Sequence, residues 1–218
     1  MAPMGLARFD DQYRARWGGL LGGIDEAGRG PLAGPVVAAC VALYPGTKIR
    51  GVHDSKVLTA GGRATASVRI RAKAAAIGVG IAQVEEVDAF NIRVATLLAM
   101  RRAVEALGIQ PQGLLIDGRD LPMVELPCEA VVDGDAKSQS VAAASIIAKV
   151  TRDAMMETED QNHPLYGFAR HKGYSTPEHL AALQEHGPCP IHRKSFRPIW
   201  ERLFVQETLF SEMENVES

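Results

Sequence analysis

The sequence predicts an α/β protein built on a mixed sheet, with three antiparallel strands extended by parallel ones, flanking helices and a helical C-terminal segment. Three observations carry that prediction. The apolar runs at 20–24 and 36–43 lie too close together for a crossover helix, which leaves an antiparallel hairpin. Short apolar segments at 113–117 and 128–132 alternate with long helical patterns, the arrangement that adds parallel strands to a sheet. From His163 the composition shifts to His, Lys, Arg, Tyr, Gly and Pro, as in loops and short helices.

Taken in order, the first strand ends abruptly in Asp25 and Glu26, followed by Gly28, Arg29 and Gly30. Adjacent strand residues point to opposite sides, so the chain is expected to turn at Glu26 if both carboxylates are to face one ion. Val36 to Leu43 forms the second strand, ended by Tyr44-Pro45-Gly46. The stretch from about Arg63 to Ala76 reads as a helix with Val68 and Ala72 on one face, its start weakened by Gly61-Gly62. Residues 77–84 alternate as a third strand. Val87 to Leu107 carries Val94, Leu97, Leu98, Met100 and Val104 at helical spacing, with Gly108 at the stop. GLLID at 113–117 and CEAVV at 128–132 are short strands ending in Asp117 and in Asp133-Gly134-Asp135. The strongest helix runs from Ser140 to about Asp160, and its small residues from Ala142 to Ser145 let another backbone or the sheet pack closely. Thr176 and Pro177 start a last helix that Gly187 closes.

With 46% hydrophobic and 23% charged residues in 218, the chain can bury one full core. A net charge of −2 excludes the strongly basic balance that holds nucleic acid by bulk attraction, so any phosphate contact must be local. Cys40, Cys128 and Cys189 are odd in number and widely spaced, which signals neither a disulfide framework nor a zinc site. The first residues lack the apolar region of a secretory signal, and no run approaches the ~20 apolar residues of a membrane span. A reducing cytoplasm is the expected location.

Three separate strand-like segments thus end in acid: Asp25 with Glu26, Asp117, and Asp135. Two carboxylates ~4 Å apart repel by about 4 kcal/mol at an effective dielectric near 20, so a convergence of four calls for a cation. Oxygen ligands favour hard ions such as Mg²⁺ or Mn²⁺, and a pair of them would activate water, hold a scissile phosphate and stabilise the leaving 3′-oxygen. Each acid singly has a duller explanation: Asp117-Gly118 as a turn, Asp135 as a helix-start residue, Asp25-Glu26 as a solvated strand end.

The segments IDEAGRG at 24–30 and PLAGPVVAACVAL at 31–43 resemble the opening signature of ribonuclease HII, the type 2 ribonuclease H family. LLIDG at 114–118, GDAKSQSVAAASIIAKVTRD at 134–153, HKGYSTPEHL at 171–180 and IHRKSFRP at 191–198 resemble its later motifs in the same order, so the likeness spans roughly Leu20 to Pro198. The resemblance implies a ribonuclease-H-like catalytic domain over 1–160 and a C-terminal loop and helical segment over 161–218 completing the substrate site. It implies divalent-metal-dependent hydrolysis of the RNA strand of RNA·DNA duplexes, including cleavage 5′ of single ribonucleotides embedded in DNA, leaving a 3′-hydroxyl and a 5′-phosphate. Asp25, Glu26, Asp117 and Asp135 would be the catalytic, metal-binding set, with Mn²⁺ or Mg²⁺ as the ion. Asp133 departs from the family, which more often has a basic residue there, and leaves open which of Asp133 and Asp135 is the ligand; the spacing to the 140–150 helix favours Asp135.

The resemblance also implies that the backbone of Gly28, Arg29 and Gly30 senses the ribose 2′-hydroxyl, the group that distinguishes RNA from DNA. Tyr174 would stack on the deoxyribose after the ribonucleotide, although a tyrosine in a glycine-containing loop is as readily a packing anchor. Lys56, Lys149 and Lys172 match positions for phosphate contact or for balancing the acids. A monomer is expected. Gln206, Leu209 and Phe210 have the spacing of peptides that dock on bacterial sliding clamps, while Ile199, Leu203, Gln206 and Phe210 equally make one face of a packed C-terminal helix. The rival functions are a nuclease of the same fold acting on DNA junctions and a nucleic-acid-binding module without catalysis.

Overall fold

The computed structural model describes residues 5–52 and 58–203. Helices and strands follow in the order α1 (Leu6–Trp17), β1 (Leu21–Ala27), β2 (Val36–Leu43), α2 (Ala60–Lys73), β3 (Ala76–Ala82), α3 (Val84–Glu105), β4 (Gly113–Asp117), β5 (Cys128–Val131), α4 (Gly134–Lys137), α5 (Gln139–Asn162), α6 (Phe168–His171) and α7 (Pro177–His186). The five strands lie in the order β3-β2-β1-β4-β5. β1 to β3 are antiparallel, and β4 and β5 add parallel to β1, as the sequence predicts.

Strand alternation sorts the core into two layers. Ile24, Ala38, Cys40, Leu114 and Ile116 face α3, whereas Ala39 and Val41 face α5 and α2. α5 approaches the sheet so closely that a Cβ on Gly23 would collide with the backbone of Ser140 and Val141. The helix reaches that distance through buried Ala142, Ala143 and Ala144.

Several local expectations change. α1 was not foreseen; Phe9, Tyr13 and Trp17 make an apolar stripe that packs on Leu21, Leu115, Val131 and Val141. The third strand is shifted to Ala76–Ala82. α2 begins at Ala60, before the glycine pair, because the Thr59 side chain accepts the Gly62 N–H. Its buried face is Ala66, Ser67 and Ile70, and Val68 is exposed. α3 likewise turns Ala95, Ala99, Met100 and Ala103 inward and leaves Val94 exposed. Its partners in β3 are Gly78 and Gly80, where only an alanine face can approach. A break at Asn91 (φ 65°) rotates the helix out of the phase that its larger side chains suggest.

The chain does not turn at Glu26. β1 continues through Ala27, with Glu26 opposite Ala38, and the turn falls at Gly28 (φ 98°). Among the described residues, no helix is long and apolar enough to cross a membrane.

Candidate active site

The parallel pairing of β1 with β4 runs from Leu21 to Ile24 opposite Ile116, so both strands deliver their next residues, Asp25 and Asp117, to the same edge. Asp25, Glu26 and Asp117 line one cleft of about 390 Å³ together with Gly28, Arg29, Gly30, Arg63, Ser145, Lys149 and Tyr174. Strand parity alone would send Glu26 to the other side. The β4 ladder has stopped before it, and the open edge lets its side chain reach the cleft.

Asp25 is only 4% exposed. Burial drives its pKa well above the usual carboxylate range, and the neighbouring Glu26 and Asp117 push it further; hydrogen bonds from Ser145 and the Glu26 N–H oppose them. The Glu26 N–H bond measures 2.7 Å. Burial also raises Glu26, against the pull of Arg29, whose Nη1 lies 3.3 Å from Glu26 Oε1. Of the cations lining the cleft, Arg29 bonds Glu26, while Lys149 and Arg63 also pair with Asp153, at 2.7 and 3.8 Å.

Such an all-oxygen set, buried and mutually repelling, fits a hard divalent cation. Among the described residues no three His, Cys, Asp or Glu side chains already surround a common metal position. The oxygens have partners within the protein: Asp117 Oδ1 accepts the Gly134 N–H at 2.7 Å, Glu26 bonds Arg29, and Asp25 Oδ1 accepts the Glu26 N–H.

Asp135 does not line the cleft. It is buried on the single turn of α4, one residue beyond the Gly134 N–H that binds Asp117, whereas Asp133 is exposed in a left-handed conformation before it. Asp135 is thus the buried and Asp133 the exposed member of the pair. Lys149 stands 5.7 Å from the centre of the Tyr174 ring. Lys172 is turned away, its ammonium on Glu157 at 2.6 Å and on the Asp153 carbonyl at 3.3 Å. Lys56, Gln206, Leu209 and Phe210 lie outside the described residues.

Two residues that sequence reasoning missed organise the glycine turn. Arg193 is fully buried and gives five hydrogen bonds to four carbonyls: Gly28 (2.5 Å), Arg29 (2.9 Å), Pro31 (2.8 Å) and Gly34 (2.8 and 3.0 Å). Arg152, equally buried, bonds the carbonyls of Pro35, Ala33 and Lys172, each at 3.0 Å. Two guanidinium groups with carbonyl partners draw the loop's oxygens inward and leave its other edge to the cleft. In sequence Arg193 reads as part of an exposed basic run with His192 and Lys194, and no spacing marks it.

The glycines themselves differ. A Cβ on Gly28 would collide with the Arg152 guanidinium, whereas one on Gly30 would find its nearest neighbour, Tyr174 Cε1, at 3.8 Å.

Comparison with known proteins agrees with this architecture. The family model described as ribonuclease HII matches residues 22–202. The chain is 54% identical over 196 residues to ribonuclease HII 2 of Methylibium petroleiphilum, covering 89% of this chain and 90% of that one. Among solved structures it resembles the ribonuclease H2 of Pyrococcus horikoshii (TM-score 0.72, 28% identity, 84% of this chain and 96% of that one). It also resembles the ribonuclease HII of Archaeoglobus fulgidus, solved in complex with PCNA (TM-score 0.69, 28% identity, 82% and 95%). The chain belongs to the ribonuclease HII family, endoribonucleases that cleave the RNA of RNA·DNA hybrids.

Proposed function

We propose that this chain is a divalent-metal-dependent endonuclease that cuts the RNA strand of RNA·DNA duplexes and also cuts 5′ of single ribonucleotides embedded in DNA, leaving a 3′-hydroxyl and a 5′-phosphate. The observation that carries the reading is the placement of Asp25, Glu26 and Asp117 in one cleft with Gly28, Arg29, Gly30 and Tyr174. Asp25, Glu26 and Asp117 would hold the ion, with Asp135 joining from α4, beside the Gly134 contact to Asp117. Mn²⁺ or Mg²⁺ bound there supplies an activated water and charge neutralisation at the scissile phosphate.

The protein's own residues do the rest. The loop from Gly28 to Gly30, its carbonyls taken by Arg193, offers close backbone approach to the ribose 2′-hydroxyl. Tyr174, across from Gly30, gives a flat apolar surface to the next sugar. Arg29, Lys149 and Arg63 bring local positive charge to a chain whose overall charge is −2. Residues 161–203 complete this site from the C-terminal side. We further infer a cytoplasmic monomer and, from Gln206, Leu209 and Phe210, docking on a sliding clamp; the PCNA complex of the Archaeoglobus relative supports the latter.

The deciding assay titrates Mn²⁺ and Mg²⁺ against two duplexes of one sequence, one with a single ribonucleotide and one all DNA. Cutting confined to the first, dependent on metal and leaving a 3′-hydroxyl end, is expected. Equal cutting of both, or cutting undiminished by a chelator, would overturn the proposal.

A further inference from the structure

Tyr174 is 43% exposed, and the loop before it passes through left-handed residues Lys172 (φ 52°) and Gly173 (φ 83°). A non-glycine residue there is costly and persists only where the surroundings impose it. Arg152 holds the Lys172 carbonyl at 3.0 Å, and beneath the loop lies a buried cluster of His171, His179 and His192 packed on Tyr166 and Phe168.

The hydrogen-bond partners assign the proton on each ring. The Cys189 N–H donates to His192 Nδ1 at 2.9 Å, a shorter contact than that nitrogen makes with the Cys189 thiol (3.2 Å) or carbonyl (3.3 Å), which favours Nδ1 as an acceptor and the ring's proton on Nε2. His192 Nε2 is 3.0 Å from His179 Nε2, which therefore accepts. The proton of His179 is then on Nδ1, where it meets the Tyr174 carbonyl at 2.9 Å. That carbonyl also accepts the Thr176 N–H at 2.8 Å. His171, stacked on His179 at 4.4 Å, donates from Nε2 to the Tyr166 carbonyl and accepts the Gly173 N–H on Nδ1. Every nitrogen of the three rings is engaged, and only neutral imidazoles satisfy the set. Burial favours that state, lowering the pKa of His179 and of His192, the latter to about 4.

We propose that His192 and His179 are positioning residues: a proton-ordered relay from the Cys189 N–H through both rings to the Tyr174 carbonyl sets the height of the Tyr174 ring over the cleft. The inference rests on the substrate role given to Tyr174 above. It assigns His179 a part in discriminating an RNA-to-DNA step from continuous RNA, although its ring is buried and touches no substrate.

Two substitutions separate the relay from simple packing. In His179→Asn the amide nitrogen falls near the place of Nδ1 and can still donate to the Tyr174 carbonyl. In His179→Gln the terminal amide reaches the place of Nε2 and that donation is lost. Cleavage is measured as kcat/KM on a single-ribonucleotide duplex and on a long RNA·DNA hybrid. His179→Gln should lower the ratio of the two about tenfold, the worth of one buried hydrogen bond. His179→Asn should keep the ratio near that of the parent, and His179→Gln should add nothing to Tyr174→Ala. Equal losses in Asn and Gln, or an additive double variant, would overturn the relay. Tyr174→Ala with an unchanged ratio would overturn the reading of Tyr174 itself, and the relay with it. Should the His179 variants fail to fold, ring nitrogen-15 shifts of the unaltered enzyme decide: Nδ1–H on His179 and Nε2–H on His192 support the relay, and the reverse tautomers overturn it.

Discussion

Arg193 Nη2 donates to the Gly28 carbonyl at 2.5 Å, joining residues 165 positions apart and tying the C-terminal segment to the turn that follows the paired acids. Among the described residues the guanidinium has no carboxylate bonded to it, and its charge is spread over carbonyls of residues 28–34. Arg193→Lys should therefore be far from conservative, because one ammonium cannot serve four carbonyls. Losing at least two charged hydrogen bonds costs ~3 kcal/mol or more, to be read as a lowered urea midpoint. A midpoint equal to that of the parent would mean that the loop holds itself.

Gly28 and Gly30 should respond differently to a methyl group. Gly28→Ala adopts an unfavourable φ and collides with Arg152, so loss of fold is expected, visible by circular dichroism. Gly30→Ala has room beside Tyr174 and should fold normally. Its Cβ would displace the ribose from the acids, and a 1 Å misplacement costs on the order of a hundredfold in turnover. Duplex affinity should fall much less; equal losses in both would reduce the turn to a scaffold.

Asp25→Asn and Asp117→Asn are expected to lower cleavage by about a hundredfold or more, since even outer-shell changes at metal sites cost about 10–100-fold. Stability should move the other way. Burial and like charge raise the Asp25 pKa, so ionisation at neutral pH opposes folding and a neutral amide relieves it. In chelator, Asp25→Asn should gain on the order of 1 kcal/mol, or about 2–4 °C in Tm. Addition of Mn²⁺ should then stabilise the parent and leave the variant unmoved. Cleavage within threefold of the parent would sink the metal assignment.

Acid should loosen the C-terminal segment before the sheet. His192 is held down to about 4 against an ordinary 6.5 by burial and by His179, His163 and His171, and His179 is lowered as well. The Cys189 thiol beside them is pushed up to about 11, and the Tyr166 hydroxyl is raised too, so neither ionises here. A depressed imidazole means that the unfolded chain binds the proton first, so stability is complete above pH 6.5 and is lost as pH falls toward 4. The loss from His192 approaches on the order of 3 kcal/mol. Urea midpoints at pH 7 and pH 4.5 should differ accordingly, and His192→Gln should flatten the difference.

A peptide of residues 203–218 should bind the cognate sliding clamp with micromolar Kd and lose binding on Phe210→Ala. Absence of binding would leave Gln206 and Phe210 to the helix-face reading, in which they continue from buried Ile199.

Periodicity and order along the chain were enough for the strand directions, for a long helix with small residues for close packing, and for the delivery of Asp25 and Asp117 to one sheet edge. Those features follow from local rules: alternation in strands, the length a crossover needs, the lack of bulk in alanine. Tertiary structure alone decided which face α3 buries, because Gly78 and Gly80 in β3 select small partners against the pull of its larger apolar residues. It also decided that β1 runs past Glu26, that Lys172 turns to Glu157, and that Asp135 is the buried member of its pair. Arg193 and the imidazole chain could not be read from the sequence, since a buried guanidinium and an exposed one are spelled alike. What separates them is the set of carbonyls that distant segments bring within hydrogen-bond reach, and that set exists only once the chain has folded.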